Sequence, residues 1–183
     1  ESTLLVEENT QGTIKLLTFE KWPSSGTSSK LKGGTYAHLS VLVQNDSKPF
    51  GSLLAPGYAF RYTEGAHNGE FVEYTETNPN NTIFNVKVVK CPHAKVENGI
   101  CAYCGTKGIV ATIGSNAYTT IDEAVTAWLE DGGTLTLHDN GSTEVIGNFS
   151  DAKAKDLVID LNGHSIDDVK DEYSTPLILN DVN

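Results

Sequence analysis

The sequence contains no methionine, a single arginine (Arg61) and only three cysteines among its 183 residues. One arginine leaves almost no bidentate clamp for a phosphate or a carboxylate, the kind of recognition for which arginine is favoured. Three cysteines cannot all pair as disulfides, which favours metal binding over a disulfide framework. A chain without methionine has no initiator residue, so we expect it to be an excised or processed piece of a longer protein.

Basic residues are also scarce. The 13 Lys and Arg against 24 Asp and Glu give a formal net charge of -11. This charge repels nucleic acid phosphates and anionic membranes, so we expect neither as a partner. No apolar run approaches the roughly 20 residues of a membrane span. A hydrophobic fraction of 38% with 20% charged residues is ordinary for a globular chain that buries one core or two small ones.

Metal-binding residue types concentrate in residues 91–105, with the sequence CPHAKVENGICAYCG. Three thiolates and one imidazole form the ligand set of tetrahedral zinc, supplied here by Cys91, His93, Cys101 and Cys104. The dipeptide Asn98-Gly99 reverses the chain between the two ligand pairs. Four protein ligands leave no open coordination position, so the prediction is a structural zinc. The alternatives are a Cys101–Cys104 disulfide that leaves out Cys91, and reduced thiols without a metal.

Short β-type runs separated by turn clusters precede this stretch. Strands are expected at residues 4–6, 13–19, 36–43, 58–62, 71–75 and 83–89, the last two joined as a hairpin. Alternation along one of these strands places Tyr58, Phe60 and Tyr62 on the same face. We expect these aromatic residues to cap a hydrophobic core, and a sugar-stacking platform is the alternative.

The residues after the cysteines begin with a predicted strand at 109–113 and a helix near 120–130. The sequence Thr-Ile-Asp-Glu from Thr120 is a capping box. Apolar residues then recur at i, i+3 and i+4 spacing until Gly132 and Gly133 end the helix. Trp128 lies in this apolar stripe, so we predict that it is buried.

Two runs beyond the helix have similar sequences. LTLHDNG at 135–141 and LVIDLNG at 157–163 superpose when their Asn-Gly pairs are matched, and LILN at 177–180 repeats the Leu-Asn ending. Strands of one pattern that recur every ~20 residues, with asparagine at the turn, indicate a stacked β-solenoid.

The segment AYTTIDEAVTAWLEDGGTLTLHDN, followed by LVIDLNGHSI, resembles the start of a right-handed parallel β-helix domain. This pectate-lyase-like fold occurs in large surface proteins of Gram-positive gut bacteria, and the resemblance covers residues 117–166. It implies that the helix caps the first rung and that IDLNGH at 159–164 belongs to the strand that follows. Upstream, LKGGTYAHLSV and LLAPGYAFRY look like the last coil and closing segment of another β-helix, which a short Cys/His knuckle would follow.

The predicted fold is therefore mainly β, with parallel β-helix-like (β-solenoid) segments, one capping α-helix and a small metal knuckle between two lobes. The expected domains are a β-rich lobe at 1–89 that ends one β-helix, a zinc knuckle linker at 90–108, and the helix-capped start of a second β-helix at 109–183. Residues 90–108 are called the knuckle below.

We expect a non-catalytic, extracellular segment of a bacterial surface protein, associated with the cell surface or cell wall, that serves as a scaffold and adheres to glycan or host protein. The remaining histidines lack a spaced partner and are read as packed or solvent-facing residues, namely His38, His67, His138 and His164. Asp167 and Asp168 would point to opposite faces of a strand, and no phosphate loop or nucleophile elbow is present. The alternatives are a fragment of a carbohydrate-active enzyme, either a polysaccharide lyase or a glycoside hydrolase, and a pure spacer.

Overall fold

The structure is a computed structural model that describes residues 4–8, 11–23, 30–43, 46–143, 146–148, 156–167 and 178–180. Within these ranges the protein is mainly β with one α-helix, as predicted. The chain divides into two compact units. The first unit contains residues 1–91 and 102–106, and the second contains residues 92–101 and 107–183.

The first unit consists of short strands and one turn of 3-10 helix at Phe50–Leu53. Its described strands are β1 (Leu5–Val6), β2 (Thr13–Ile14), β3 (Leu17–Phe19), β4 (Lys30–Leu31), β5 (Thr35–Val41), β6 (Tyr58–Tyr62) and β7 (Thr82–Lys90).

Strands of the first unit pair in two ways. β1 pairs in parallel with β4, and both β2 and β3 pair in parallel with β5. Leu5 lies opposite Lys30, and Thr13 lies opposite Thr35, so the two parallel pairs join positions with a similar separation along the chain. β5 then pairs antiparallel with β7, which pairs antiparallel with β6. Two successive passes of the chain are thus stacked in parallel, and antiparallel strands follow them.

Aromatic and branched aliphatic side chains form the core of the first unit, with Trp22, Tyr36, Phe50 and Phe60 as its large members. Tyr58 and Tyr62 are partly buried against the same core. The three aromatic residues of β6 therefore pack on the core, as expected, and their rings are not displayed as a platform.

The predicted hairpin of residues 71–75 with 83–89 is wrong. β7 pairs with β5 over residues 82–87 and with β6 over residues 86–90, and residues 71–75 do not pair with it as a strand. Phe71 makes only an isolated bridge to Arg61. Val72 donates its backbone N–H to Phe60 O over 2.9 Å, and Tyr74 donates to Ala102 O over 2.7 Å. The backbone of this segment is thus satisfied by β6 and by the knuckle.

The second unit combines a hairpin, a helix and stacked strands. Its described elements are β8 (Val96–Glu97), β9 (Ile100–Cys101), β10 (Ala111–Ile113), β11 (Asn116–Tyr118), α1 (Ile121–Asp131), β12 (Gly133–Leu137), β13 (Gly141–Ser142), β14 (Ile146–Asn148), β15 (Leu157–Asp160), β16 (Ile166–Asp167) and β17 (Ile178–Asn180). β10 pairs antiparallel with β11 and with β12. Three parallel pairs follow, β12 with β15, β13 with β16 and β14 with β17.

Helix α1 confirms the predicted N-terminus at Thr120 and the apolar stripe. Thr120 is the N-cap, and its Oγ1 accepts a hydrogen bond from the Glu123 backbone N–H over 3.3 Å. The helix ends at Gly132, whose φ of 74° is readily reached only by glycine. Trp128 is buried as predicted, in a core with Leu135 and Leu137 of β12. No helix in the described ranges combines the length and the apolar content of a membrane span.

The stacking register in the second unit differs from the one read from the sequence. Matching the Asn-Gly pairs would place Leu135 opposite Leu157, whereas the structure places it opposite Ile159, further along the chain. Gly141 is shifted in the same direction and lies opposite Ile166 instead of Gly163. The two Asn-Gly pairs are not equivalent in the structure. Three residues join β12 to β13 and five join β15 to β16, so Asn140 ends its turn whereas Asn162 and Gly163 lie within theirs.

The third run of the predicted repeat is also placed differently. Ile178–Asn180 pairs with β14 rather than with β15, so it does not extend the sheet that contains β12 and β15. Leu177 and Asp168 lie outside the described residues. The described sheets remain separate, and none of them forms a solenoid.

Candidate metal centre

A tight hairpin organises the middle of the knuckle. β8 and β9 pair antiparallel, with Val96 opposite Cys101. Asn98 and Gly99, the two residues between these strands, have φ angles of 50° and 69°. Two positive φ values in succession are typical of the type I′ turn, which explains the Asn-Gly sequence. The predicted chain reversal is therefore confirmed.

The four predicted ligands lie together. One ligand atom from each lies within 4.8 Å of those of the other three, the residues being Cys91, His93, Cys101 and Cys104. In a tetrahedral site with Zn–S near 2.3 Å and Zn–N near 2.0–2.1 Å, ligand atoms are about 3.5–3.8 Å apart. A contraction of at most about 1 Å between any two ligand atoms thus closes the cluster around an ion of zinc size. The arrangement is compatible with a structural metal site, and the described residues hold no second cluster of this kind.

The three cysteine side chains are buried, with relative exposures of 2%, 1% and 7% for Cys91, Cys101 and Cys104. The structure joins none of them in a disulfide. Buried sulfur ligands exclude water from the ion, and a thiolate is a soft ligand that zinc accepts and that magnesium and calcium avoid.

His93 is oriented by a backbone carbonyl. Its Nδ1 lies 2.8 Å from Ser115 O. A carbonyl oxygen only accepts hydrogen bonds, so Nδ1 carries the proton and Nε2 keeps the lone pair that a metal needs. His93 also has a φ of 48°, an unusual backbone conformation for a residue with a side chain. Both features direct one ring nitrogen to the cluster.

Cys104 has a second partner in Thr106, whose Oγ1 lies 3.1 Å from the cysteine Sγ. A hydroxyl that donates to a thiolate stabilises its charge. The intervening Gly105 has a φ of 70°, and a Cβ at this position would lie 3.0 Å from the ring of Tyr74. Glycine therefore satisfies both the backbone turn and the close approach of the ring.

The sequence predicts the four ligands but not the residues that support them. A threonine two positions after a cysteine is a weak signal that could have suggested Thr106. Ser115 contributes only its backbone carbonyl, which no side-chain pattern reveals. Tyr74 falls within the predicted strand at 71–75, a pattern that gives no sign of its contact with Gly105.

The remaining histidines form no metal-binding cluster in the described residues, although His138 and His164 lie near each other. His67 lies 2.8 Å from Glu70 on the surface, and His138 Nε2 lies 2.9 Å from Thr112 Oγ1. Burial lowers the pKa of His138, and the nearby His164 lowers it further. His138 and His164 line one cleft of about 380 Å³ with Asp139.

The carboxylates near the matched turns have local partners. Asp139 Oδ1 accepts from Asn140 N over 2.8 Å, and Asp160 Oδ1 accepts from Asn162 N over 3.0 Å. These bonds are typical of aspartates that shape turns. Asp167 lies exposed on β16.

Comparison of the chain with protein-family models, curated proteins and solved structures gives no match. A functional assignment therefore depends on the knuckle and on the strand stacking.

Proposed function

We propose that this chain is a non-catalytic scaffold segment of a bacterial cell-surface protein, stabilised by a structural zinc ion. Along the chain it comprises the end of one parallel β-helix, the knuckle, and the helix-capped start of a second β-helix. Its exposed faces adhere to glycan or host protein. The observation that carries this proposal is the closed cluster of three buried sulfurs and one oriented imidazole.

Zinc is the metal best matched to this ligand set. Three cysteines and one histidine complete a tetrahedral coordination shell, which leaves no position for an activated water. The ion would therefore hold the knuckle in shape and supply no reaction chemistry. Thr106 and the Ser115 carbonyl act on two of the ligands from outside, as supporting residues do in metal sites.

Parallel stacking supports the β-helix part of the proposal. A parallel β-helix pairs each strand with the strand one coil later, so paired positions on successive faces have a similar separation along the chain. Both units have this property in their first two parallel pairs, β1 with β4 and β2 with β5 in one unit, and β12 with β15 and β13 with β16 in the other. α1 precedes the first stacked strand of the second unit, where the resemblance at 117–166 implies a capping helix.

Asparagine side chains join the stacked turns of the second unit. Asn162 Nδ2 donates to Leu137 O over 3.1 Å, and Asn140 Oδ1 accepts from Ser165 N over 2.9 Å. Each bond links residues 25 positions apart, which is one coil. This explains why asparagine recurs at the turns.

The zinc site is tested by native mass spectrometry and metal analysis of the freshly purified chain. We expect one zinc per chain, lost in Cys101→Ser and retained in Ser115→Ala, which leaves the backbone carbonyl in place. Chelation should increase hydrogen exchange in the knuckle while the strands of both cores stay protected, because apolar burial holds them. A metal-free protein with a Cys101–Cys104 disulfide would contradict the proposal.

The competing function is a fragment of a carbohydrate-active enzyme. Glycoside hydrolysis needs two carboxyl groups that flank one bond, whereas Asp139 and Asp160 are engaged in turns. Incubation with pectins, mucin glycans and plant polysaccharides separates the two functions. If the chain is a scaffold, we expect no product. Release of reducing or unsaturated sugar ends would show that it is a fragment of a carbohydrate-active enzyme.

A further inference from the structure

An aromatic ring is displayed on the outer face of the first unit. Phe84 of β7 is 54% exposed, although its neighbour Ile83 is buried in the core. His38 lies directly opposite on β5, and the two ring centroids are 4.7 Å apart at an interplanar angle of 43°. The solvent face of an antiparallel pair is normally polar. The contact with His38 restricts the phenyl ring while leaving much of it open to solvent.

This ring lines a surface concavity of about 420 Å³ together with His38, Asn78, Asn80 and Thr82. The volume lies within the range of roughly 300–1,000 Å³ that is typical of small-molecule sites. The lining surface is therefore mainly apolar, and amide, hydroxyl and imidazole groups belong to the residues around the phenyl ring.

The polar rim of the concavity is held in place by its own hydrogen bonds. Asn78 Nδ2 donates to Thr82 O over 2.6 Å, and Asn78 Oδ1 accepts from Thr82 N over 3.1 Å. Thr82 Oγ1 donates to Asn80 O over 3.0 Å. A rim ordered before binding reduces the entropy that a ligand must otherwise offset.

Two polar side chains remain available to a ligand. In the described part of the chain, neither the His38 ring nor the Asn80 amide makes a hydrogen bond to protein. An amide provides two donors and a carbonyl acceptor, and a neutral imidazole provides one donor and one acceptor. Sugar hydroxyls both donate and accept, so these groups match them.

Charge narrows the ligand class. No carboxylate, ammonium or guanidinium group among the described residues lines the concavity, and the whole chain carries a formal charge of -11. An acidic sugar would therefore meet long-range repulsion without a local cation to offset it. A neutral sugar meets no such repulsion, because its binding depends on contact with the ring and on hydrogen bonds to its hydroxyl groups.

We infer that this concavity binds a neutral saccharide, with Phe84 as the stacking surface and with Asn80 and His38 as hydroxyl partners. The apolar C–H face of a pyranose ring packs on the phenyl ring, which removes apolar surface from water on both sides. This inference deepens the adhesive part of the proposed function and rests on it.

The test uses the biotinylated full chain displayed on streptavidin, which multiplies weak single-site binding. The probes are arrayed neutral hexose and N-acetylhexosamine oligosaccharides, beside matched oligosaccharides that carry uronic or sialic acid. We expect binding to neutral probes only. Phe84→Ala should weaken it at least about tenfold, as expected for a central aromatic contact, and Phe84→Tyr should restore most of it.

Leu42→Ala is the matched control, because Leu42 is an exposed apolar residue (65%) of the first unit outside the concavity. Unchanged binding in this control supports the site. Preference for acidic probes, or undiminished binding by Phe84→Ala, overturns the site while leaving adhesion to glycan intact. Absence of binding to every probe overturns both the site and glycan adhesion. Zinc content measured on the same samples reports separately on the scaffold.

Discussion

The two units use the same two kinds of strand pairing in opposite order along the chain. In the first unit, parallel pairs come first, and β7 then pairs antiparallel with the other edge of β5. In the second unit, β10 pairs antiparallel with one edge of β12, and parallel pairs follow on the other edge. An open edge of a sheet invites pairing with other chains. In each unit an antiparallel strand covers the edge at which the parallel stack would otherwise be open.

The cores of the two units differ in composition. The first core has four large aromatic residues, Trp22, Tyr36, Phe50 and Phe60, whereas Trp128 is the sole aromatic residue among the buried core residues described for the second unit. Trp128 is thus the largest side chain in this core, where its other buried members are aliphatic. The second unit should therefore be the more sensitive to one substitution.

The largest expected effect follows from this difference. Trp128→Ala should lower the free energy of unfolding of the second unit by about 3–5 kcal/mol, because it removes a buried ring and leaves a cavity. Phe60→Ala is the matched change in the first unit. Hydrogen exchange resolved by peptide should show each substitution loosening its own unit. Equal loss of protection in both units after either change would contradict the separate cores.

A smaller effect is expected at the stacked turns. Asn162→Ala removes the amide that donates to the carbonyl of buried Leu137, at a cost of about 1–3 kcal/mol for the acceptor left without it. Exposed Asn116, on antiparallel strand β11, is the control, and Asn116→Ala should be nearly neutral. Urea unfolding monitored by tryptophan fluorescence compares the two variants. Equal stability of the two variants would show that the Asn162 amide does not stabilise the stacked strands.

The smallest effect concerns helix α1, which has no counterpart among the described elements of the first unit. Thr120→Ala removes the N-cap acceptor for Glu123 N, which typically costs about 1 kcal/mol. Thr126→Ala, at an exposed mid-helix position, is the control and should be neutral or slightly stabilising, because alanine has the higher helix propensity. Thermal unfolding followed by circular dichroism distinguishes them. A cap variant as stable as its control would show that tertiary packing alone holds the start of α1.

Local chemistry made some elements predictable. The capping box at Thr120, the Asn98-Gly99 turn and the four metal ligands each depend on residue types within a few positions of one another. Pairing between strands that are distant in sequence was harder to predict. The register of β12 on β15 depends on how many residues each turn absorbs, and the similar Asn-Gly pairs favoured a shorter shift than the one observed. Residues 71–75 have the pattern of a strand, but β5 and β6, which are more distant in sequence, are the strands that pair with β7.

The groups that support the metal ligands could not be predicted from the sequence for a related reason. The Ser115 carbonyl reaches His93 from a turn 22 residues away, and a backbone acceptor leaves no trace in the residue types. Phe84 is the opposite case, because its residue type favours burial whereas the structure shows it exposed. It lies in a strand rich in apolar residues, and simple alternation would place it on the face of buried Val86. The alternation is interrupted at Asn85, whose φ is 50°, and the Phe84 ring faces outward.

The turns between the paired strands of the second unit have unequal lengths. Three residues join β12 to β13, whereas five join β15 to β16, and yet β13 and β16 pair in register over two residues. Extra residues at a corner leave the inward and outward alternation of the paired strands unchanged, whereas one extra residue within a strand would reverse it. A turn between these strands can therefore gain residues without changing which side chains of the strands face inward. Such a turn is also a suitable place for the insertion of a peptide tag or an epitope.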